Sequence, residues 1–297
     1  MHLTLLQLKY FETLSRILHY TKASQELNIS QPSLSYAMNE LELELGAKLF
    51  HKENRKVELT VYGERFLPYV RQALATIAEG TRTVRRLSNG EPETVRLGYV
   101  HSVASSLVPA IINDLYGQSD ENRISFIFSE GNSREVFESL KNGEVDLAIC
   151  TARDEGMESI PILRQSIYLA VAADHPLAGR PAVSMDDFIR EPQILLDKNS
   201  NLRGTLDELF SQREVVPRIA FEVRECNTAL QYVALHFGVS VLPYVPAMDD
   251  ERISVVPIFD DGAEMTRNVY LSWLRGHQLP GAAEKVVDFI EARYKIN

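Results

Sequence analysis

The sequence has few cysteines and no long apolar run, and both shortages narrow its class. Two cysteines in 297 residues cannot build the disulfide framework of a small secreted domain. No apolar stretch reaches the roughly 18 residues of a membrane span. The segment Met1–Thr4 lacks the basic and apolar regions that open a signal peptide. We therefore expect a cytoplasmic chain that has no membrane partner.

The sequence motifs of common enzyme classes are also missing. The chain contains no G-x-S-x-G, H-E-x-x-H, G-x-x-x-x-G-K-[ST] or G-x-G-x-x-G pattern. Its seven histidines are scattered, and the acidic runs at 248–251 and 260–261 are more typical of solvated turns than of a metal site. We expect no catalytic residues, no metal and no cofactor. An enzyme built on a binding-protein fold remains one alternative, and a pure solute receptor another.

The formal net charge of −10, taken for the whole chain, argues against nucleic acid as a partner. The charge is, however, unevenly distributed along the chain. Residues 1–88 carry 12 Lys and Arg against 9 Asp and Glu, whereas residues 89–297 carry 19 against 32. Such an asymmetry indicates two segments with different partners.

The N-terminal segment has the spacing of three short helices joined by tight turns. Thr21 is the predicted N-cap of the second helix and Ser30 that of the third, in which Pro32 occupies the first turn. The third helix repeats apolar residues from Leu34 to Leu45 and ends at Gly46. This pattern is typical of a helix-turn-helix, although periodicity alone fits a plain helical bundle equally well.

A DNA-contacting face follows from that pattern. The polar side of the third helix would enter the major groove, and the basic turn between two short strands at 51–59 would form a wing on the phosphate backbone. The residues predicted to contact DNA are Thr21, Lys22, Gln31, Pro32, Ser33, Ser35, Tyr36, Asn39, Lys52, Arg55 and Lys56. No Lys or Arg occurs from Ala23 to Ala47, so we expect a shallow salt dependence of DNA binding.

The same residues resemble the LysR-type transcriptional regulators. The resemblance is carried by Leu8-Lys-Tyr-Phe, Ala23-Ser24, Ser30-Gln-Pro-Ser-Leu-Ser35, Leu41-Glu-x-Glu-Leu-Gly46, Leu49-Phe50 and Leu59-Thr60-x-x-Gly63. It implies a winged helix-turn-helix at 1–60, a linker helix and hinge at 61–92, and an effector-binding domain at 93–297. It also implies a homotetramer built as a dimer of dimers. Tyr36 departs from the arginine that the family commonly carries in the recognition helix.

The predicted linker helix begins after Thr60 and has a heptad seam. The seam residues are Leu67, Val70, Leu74, Ile77, Thr81 and Val84. Fewer than three heptads fit a core helix as well as a coiled coil. Polar flanks and the two half-sites of an operator favour a homodimer through this helix.

From Thr94 onward, strands alternate with helices, which is typical of an α/β domain with a parallel sheet. Two rounds of this pattern predict lobe I (93–164 and 268–297) and lobe II (165–267), with the chain crossing near 163–166 and 264–268. The arrangement resembles the family's effector domain and periplasmic solute-binding proteins.

Small polar residues at the predicted strand ends and helix starts indicate a binding cleft between the lobes. The residues predicted to bind the effector are His101, Ser102, Val103, Asn132, Thr151, Asn199, Ser200, Asn227 and Thr228. Simple helix capping explains any one of them equally well. Their convergence predicts a small anionic metabolite as the effector, whose binding changes the closure of the lobes. Cys150 and Cys226 fit inert buried thiols better than a redox pair.

Overall fold

A computed structural model describes residues 3–53, 56–89, 93–117 and 124–296 of the chain. The chain divides into two compact units. The first contains Met1–Glu91 and Lys141–Glu144, and the second contains Pro92–Leu140 and Val145–Asn297.

The first unit is a winged helix-turn-helix followed by a long helix. Its elements are α1 (Leu5–Ile17), α2 (Tyr20–Glu26), α3 (Gln31–Leu45), β1 (Phe50–Glu53), β2 (Lys56–Leu59) and α4 (Val61–Asn89). Ser30 caps α3 through a bond from the backbone N–H of Ser33, and Gly46 ends it in the left-handed conformation, both as predicted. The predicted cap of α2 is wrong. His19 is the N-cap, since its Nδ1 accepts the N–H of Lys22, and Thr21 lies inside the helix.

One apolar core holds this unit together. Phe11 of α1 and Leu34 and Met38 of α3 are at most 1% exposed, because the apolar spacing of both helices turns these residues inward. Phe50 of the wing packs on Phe11, with 5.5 Å between the ring centroids. Burial of this stripe leaves the opposite face of α3 to solvent.

The two halves of the predicted seam on the long helix α4 differ in burial. Thr60 caps the helix by accepting the N–H of Gly63, whose lack of a side chain is required because a Cβ would lie 2.3 Å from the Leu49 carbonyl oxygen. Val70 is buried, so the first half of the seam packs into the core of this unit. Ile77 and Val84 are 48% and 67% exposed, which leaves the second half without a partner in the described chain.

The second unit alternates strands and helices as predicted, with short 3-10 turns at His101–Val103 and Pro246–Asp249. Its elements are β3 (Thr94–Val100), α5 (Leu107–Tyr116), β4 (Ser125–Gly131), α6 (Ser133–Lys141), β5 (Leu147–Cys150), β6 (Met157–Ala172), β7 (Val183–Ser184), α7 (Met185–Ile189), β8 (Gln193–Leu196), α8 (Asn201–Gln212), β9 (Ile219–Val223), α9 (Cys226–Ala234), β10 (Ser240–Pro243), β11 (Ile253–Asp260), β12 (Ala263–Glu264), β13 (Thr266–Leu274) and α10 (Gly281–Tyr294).

The sheets are mixed rather than purely parallel. Strands β4, β3 and β5 run parallel, and β8 runs parallel to β9, but β13 pairs antiparallel with both β5 and β6. We call β6 and β13 the crossing strands, because they run between two separate apolar cores. One core surrounds Leu97 and Ile149, and the other surrounds Phe188 and Leu230. These cores define two lobes, which places a cleft between them.

Two predicted boundaries in this unit are wrong. The apolar run at 167–173 predicts a strand that starts at Ile167, but β6 begins at Met157, because its half-exposed first part lacks the continuous apolar run of a buried strand. Helix α9 begins at Cys226, with Glu225 as the N-cap, so Asn227 and Thr228 lie in its first turn rather than at its cap.

Candidate DNA interface and effector cavity

The outer face of α3 presents small polar groups and one aromatic ring to solvent. Gln31, Pro32 and Asn39 are exposed, and the side chain of Tyr36 is 67% exposed. The Nε2 of Gln31 donates to the Ser35 Oγ at 3.0 Å, which fixes two of the predicted base-reading groups against each other. Such groups can donate to and accept from base edges.

The N-terminal ends of α2 and α3 add further predicted contacts. Thr21 and Lys22 are exposed on α2. Ser33 is also exposed, and its Oγ lies 2.7 Å from the Oγ of the cap residue Ser30. The first turn of α2 therefore exposes a hydroxyl and a lysine, and the start of α3 carries two neighbouring hydroxyl groups.

The predicted wing is an antiparallel hairpin. Strands β1 and β2 pair with Phe50 opposite Leu59 and Lys52 opposite Val57. Lys56 is exposed on β2, and Arg55 lies outside the described residues. A basic hairpin beside a recognition helix is suited to contacting the phosphate backbone.

Glu42 on α3 has a structural role that the sequence does not reveal. Its side chain is 7% exposed, and its Oε1 accepts the backbone N–H of Leu49 at 2.8 Å and that of Phe50 at 3.2 Å. Its Oε2 accepts a bond from the Lys48 ammonium at 2.6 Å. Lys48 is therefore already paired with a carboxylate.

The second unit contains a small cavity of about 50 Å³ between its lobes, which we call the cleft cavity. Five of the predicted effector-binding residues line it: His101, Ser102, Asn132, Thr151 and Ser200. The described lining does not include Val103, Asn199, Asn227 or Thr228. Val103 is fully buried in the core of lobe I, and the other three are exposed. Sequence reasoning missed further polar residues that line the cavity: Ser133, Asp197, Asn201, Arg224, Cys226 and Arg267.

Contacts between the lobes close the cleft. The Asn201 Nδ2 of lobe II donates to the Ser133 Oγ at 3.0 Å and to the Thr151 Oγ1 at 3.1 Å, both in lobe I. Arg224 of lobe II pairs with Glu135 of lobe I at 2.5 Å. A cavity of this volume holds one or two waters, whereas metabolite sites typically measure about 300–1,000 Å³. A metabolite therefore requires a more open cleft.

Arg267, on β13, carries the main charge in the cleft cavity. Its Nη2 donates to the Ser102 Oγ at 2.7 Å and to the Gln165 Oε1 at 2.8 Å. Among the described residues, no carboxylate lies within ion-pair distance of this guanidinium. Burial lowers the pKa of Arg267 to about 10, which leaves it protonated at neutral pH. A partly buried cation whose hydrogen-bond partners are neutral favours an anionic ligand.

His101 places a second unsatisfied group beside this cation. Its Nδ1 lies 2.8 Å from the Glu130 Oε1. Its Nε2 is buried and has no hydrogen-bond partner in the described part of the chain. A ligand atom in the cavity can supply that partner.

The capping alternative holds for one predicted residue and not for another. Asn132 accepts the N–H of Glu135 through its Oδ1, and its own N–H donates to the Glu135 Oε2, both at 3.0 Å. The bond from Asn132 is the main cause of the lowered pKa of Glu135, and Arg224 adds to it. Ser200 makes no side-chain capping bond to α8, so its hydroxyl stays available to the cavity.

Both cysteines have the environment of inert thiols. Burial raises the pKa of Cys150 to about 12 and that of Cys226 to about 11, despite the nearby positive charge of Arg267. A thiol at neutral pH with such a pKa is almost entirely protonated and a poor nucleophile.

The acidic turns bind arginines within the chain. Asp250 pairs with Arg252 at 2.6 Å, and Asp260 pairs with Arg213. The described ranges contain no group of three or more His, Cys, Asp or Glu side chains that could hold a metal. Within the same ranges, no helix is long and apolar enough to cross a membrane.

Together these features define a class of protein. A winged helix-turn-helix with an exposed polar recognition face is joined to a two-lobed domain with a charged internal cavity. This combination is that of a DNA-binding regulator that responds to a small ligand.

Comparisons with known proteins identify the family. Residues 5–64 match the family described as bacterial regulatory helix-turn-helix protein, lysR family, and residues 88–295 match the LysR substrate binding domain. The chain is 32% identical over 290 residues to the uncharacterized HTH-type transcriptional regulator YybE of Bacillus subtilis, covering 97% of this chain and 98% of the relative. It is 30% identical over 283 residues to the HTH-type transcriptional regulator BenM of Acinetobacter baylyi, covering 89% and 91%.

A solved structure gives the same result for the second unit. The effector binding domain of QuiR in complex with shikimate superposes with a TM-score of 0.63 at 25% identity, covering 69% of this chain and 98% of that one. The chain therefore belongs to the LysR family of transcriptional regulators, and the resemblance and fold class inferred from its sequence are confirmed. Members of this family bind DNA and small-molecule effectors and form oligomers. They are regulators rather than enzymes.

Proposed function

We propose that a small anionic metabolite, bound in the cleft cavity, switches this regulator. The observation that carries the proposal is Arg267, a partly buried cation whose described partners are the neutral groups of Ser102 and Gln165. A carboxylate would complete its pairing through charge-assisted hydrogen bonds. The unpartnered Nε2 of His101 can then orient the rest of the ligand.

The proposed effector site revises the set expected from sequence. It keeps His101, Ser102, Asn132, Thr151 and Ser200 and adds Asn201 and Arg267. It leaves out Val103, Asn199, Asn227 and Thr228, because burial in the core or exposure away from the cavity separates them from Arg267.

Lobe closure is the proposed switch. In the structure, Asn201 bridges to Ser133 and Thr151 and holds the cleft closed around a cavity of about 50 Å³. A metabolite that fills the cleft must replace these bonds, so it binds the open form more tightly and shifts the population toward it. The shift changes the spacing of the DNA-binding units in the oligomer.

A thermal-shift screen of the full-length protein tests the ligand class. Anionic metabolites should stabilise the protein, by about 2.7 kcal/mol at a concentration of 100 times the Kd. Arg267→Gln should lose that response. Arg252→Gln, which changes a surface arginine paired with Asp250, should keep it. Stabilisation by neutral metabolites alone, or an equal response of Arg267→Gln, would contradict the proposal.

We further propose that the outer face of α3 reads the operator and that the wing contacts phosphates. The proposed contacts on the helices are Thr21, Lys22, Gln31, Pro32, Ser33, Ser35, Tyr36 and Asn39, and those on the wing are Lys52, Arg55 and Lys56. Their support is the exposure of the helix face and the hairpin beside it. The corresponding division into domains is 1–60, 61–92 and 93–297, and the proposed compartment is the cytoplasm, where promoter DNA lies.

The proposed assembly is a homodimer through α4 that pairs again into a homotetramer. Ile77 and Val84 leave an exposed apolar stripe on α4, which a second copy of the helix can cover. The edge strands β4 and β9 expose Phe128 (48%) and Phe221 (39%), and exposed apolar edges favour association. Two separate surfaces of this kind suit a dimer of dimers. Sedimentation of Ile77→Asp should show loss of the α4 interface, and an unchanged tetramer would contradict it.

A further inference from the structure

A second and larger cavity lies beside the crossing strands. Its volume is about 520 Å³, and we call it the arginine pocket. Its polar and aromatic lining includes Arg153, Arg164, Arg267, Asn268 and Tyr270. Alternate residues of β13 point to opposite faces, so Asn268 and Tyr270 share one face. Arg267 lines both the arginine pocket and the cleft cavity.

The pocket concentrates positive charge without any compensating carboxylate in its described lining. Arg164 uses its Nε for the Thr266 Oγ1 at 3.2 Å, and Arg153 lies over the Tyr270 ring at 5.8 Å. No described carboxylate lies within ion-pair distance of either guanidinium. Each therefore keeps most of its five N–H donors for a ligand or for water.

Several other arginines of the same domain pair with acidic side chains. The domain as a whole has an excess of acidic residues, 32 against 19 basic ones from residue 89 onward. Arg203, Arg213 and Arg252 each pair with at least one carboxylate. Solvated surface arginines are the ordinary explanation for a single unpaired side chain. Arg153 and Arg164 line one cavity together with Arg267, which lies more than 100 residues further along the chain, and this convergence points to a shared anion.

We propose that the arginine pocket binds a small organic polycarboxylate. The exposed guanidinium groups of Arg153 and Arg164 can each form a bidentate pair with a carboxylate, so together they match an anion that carries several carboxylates. The Tyr270 ring, Pro161 and Ile296 supply apolar walls for a carbon skeleton. The volume of about 520 Å³ lies within the usual range of metabolite sites.

This site is distinct from the proposed effector site. Its own determinants are Arg153 and Arg164, neither of which lines the cleft cavity. Both side chains are exposed, so their replacement should leave the fold intact. Arg267 is left unchanged in the test because it serves both cavities.

Isothermal titration of the full-length protein with citrate tests the proposal. The double variant Arg153→Gln/Arg164→Gln should bind citrate about tenfold or more weakly than the wild type, because two charge-assisted contacts are lost. The matched control is Arg180→Gln, which changes an exposed arginine of lobe II that pairs with Asp187. It should bind citrate as the wild type does.

Three results would overturn the proposal. Equal citrate affinity of the double variant and the wild type would place the anion elsewhere, for example in the cleft cavity. Competition by inorganic phosphate at the same concentration as citrate would show a site for any anion rather than for polycarboxylates. Absence of citrate binding by the wild type at millimolar concentration would remove the site.

Discussion

In both units of this regulator, the charge at the proposed site differs from the net charge of the surrounding segment. The first 88 residues have more basic than acidic residues, yet α3 contains no Lys or Arg. The segment from residue 89 is strongly acidic, yet its cleft cavity is built around the unpaired cation of Arg267. Net charge therefore describes each unit's surroundings, and the chemistry of each site depends on a few local groups.

Burial explains why so few charges matter. Exposed groups on α3 face water and salt, which screen them within about 10 Å. Arg267 and Glu42 lie in surroundings of lower dielectric, where an unmatched or removed partner has a larger effect. We therefore expect mutations of the more buried charges to have larger effects on stability and binding than mutations of exposed charges, whichever unit they lie in.

The largest effect is expected at Glu42. Glu42→Ala leaves the buried N–H groups of Leu49 and Phe50 without an acceptor, so it should lower the free energy of unfolding by about 1–3 kcal/mol. Chemical denaturation of the full chain measures the change. Glu40→Ala, on the exposed face of the same helix, is the control and should change stability by less than about 0.5 kcal/mol. Equal losses of stability in the two variants would show that burial does not determine how much each carboxylate contributes to the free energy of unfolding.

A smaller effect is expected at the cleft. Asn201→Ala removes two bonds between the lobes, to Ser133 and Thr151, and should lower the free energy of unfolding by about 1 kcal/mol. Asn199→Ala, two residues earlier and exposed, should have no measurable effect. If both variants unfold alike, the lobes are not held together by Asn201.

The salt dependence of DNA binding tests which exposed cations contact the phosphate backbone. Each cation that contacts a phosphate contributes about 0.9 to the slope of log affinity against log salt. We expect a shallow slope for the wild type, and Lys56→Ala should reduce it by about one. Lys48→Ala should change it less, because Lys48 is paired with Glu42. A steep slope, or equal changes for the two variants, would contradict this account.

The smallest expected effect is a dependence of stability on pH. The folded pKa of Glu135 lies below its ordinary value of 4.5, chiefly because the carboxylate accepts the Asn132 N–H and also because it pairs with Arg224. Its stabilisation is therefore present above about pH 4.5 and is lost as the pH falls through the lower folded pKa. Glu135→Gln should flatten the acid side of the stability profile, measured by thermal unfolding. An unchanged profile would show that Glu135 gains no stabilisation from these contacts.

Local signals made much of the fold predictable. Ser30 and Gly46 were identified because capping depends on the residue itself and its near neighbours. His19 was missed because a histidine cap is uncommon and the neighbouring Thr21 has the usual cap chemistry. The start of β6 was missed because Pro161 and charged residues interrupt the apolar pattern of a strand that is only half-buried.

The candidate site was predictable only in part. Helix starts and strand ends led to His101, Ser102 and Thr151, because topology brings such positions together. Arg267 carried no local signal, since it lies within a strand and its role depends on Gln165, which is 102 residues away, and on the cavity beside it. Long-range pairing of this kind cannot be deduced from periodicity.

The most direct test of the account is the effector response of DNA binding. Operator affinity of the full-length protein would be measured by fluorescence anisotropy, with and without a stabilising anionic metabolite found in the thermal screen. The ratio of the two affinities should differ from one in the wild type and in Arg252→Gln, and it should return to one in Arg267→Gln. An Arg267→Gln ratio equal to that of the wild type would contradict the central claim that this partly buried cation holds the effector.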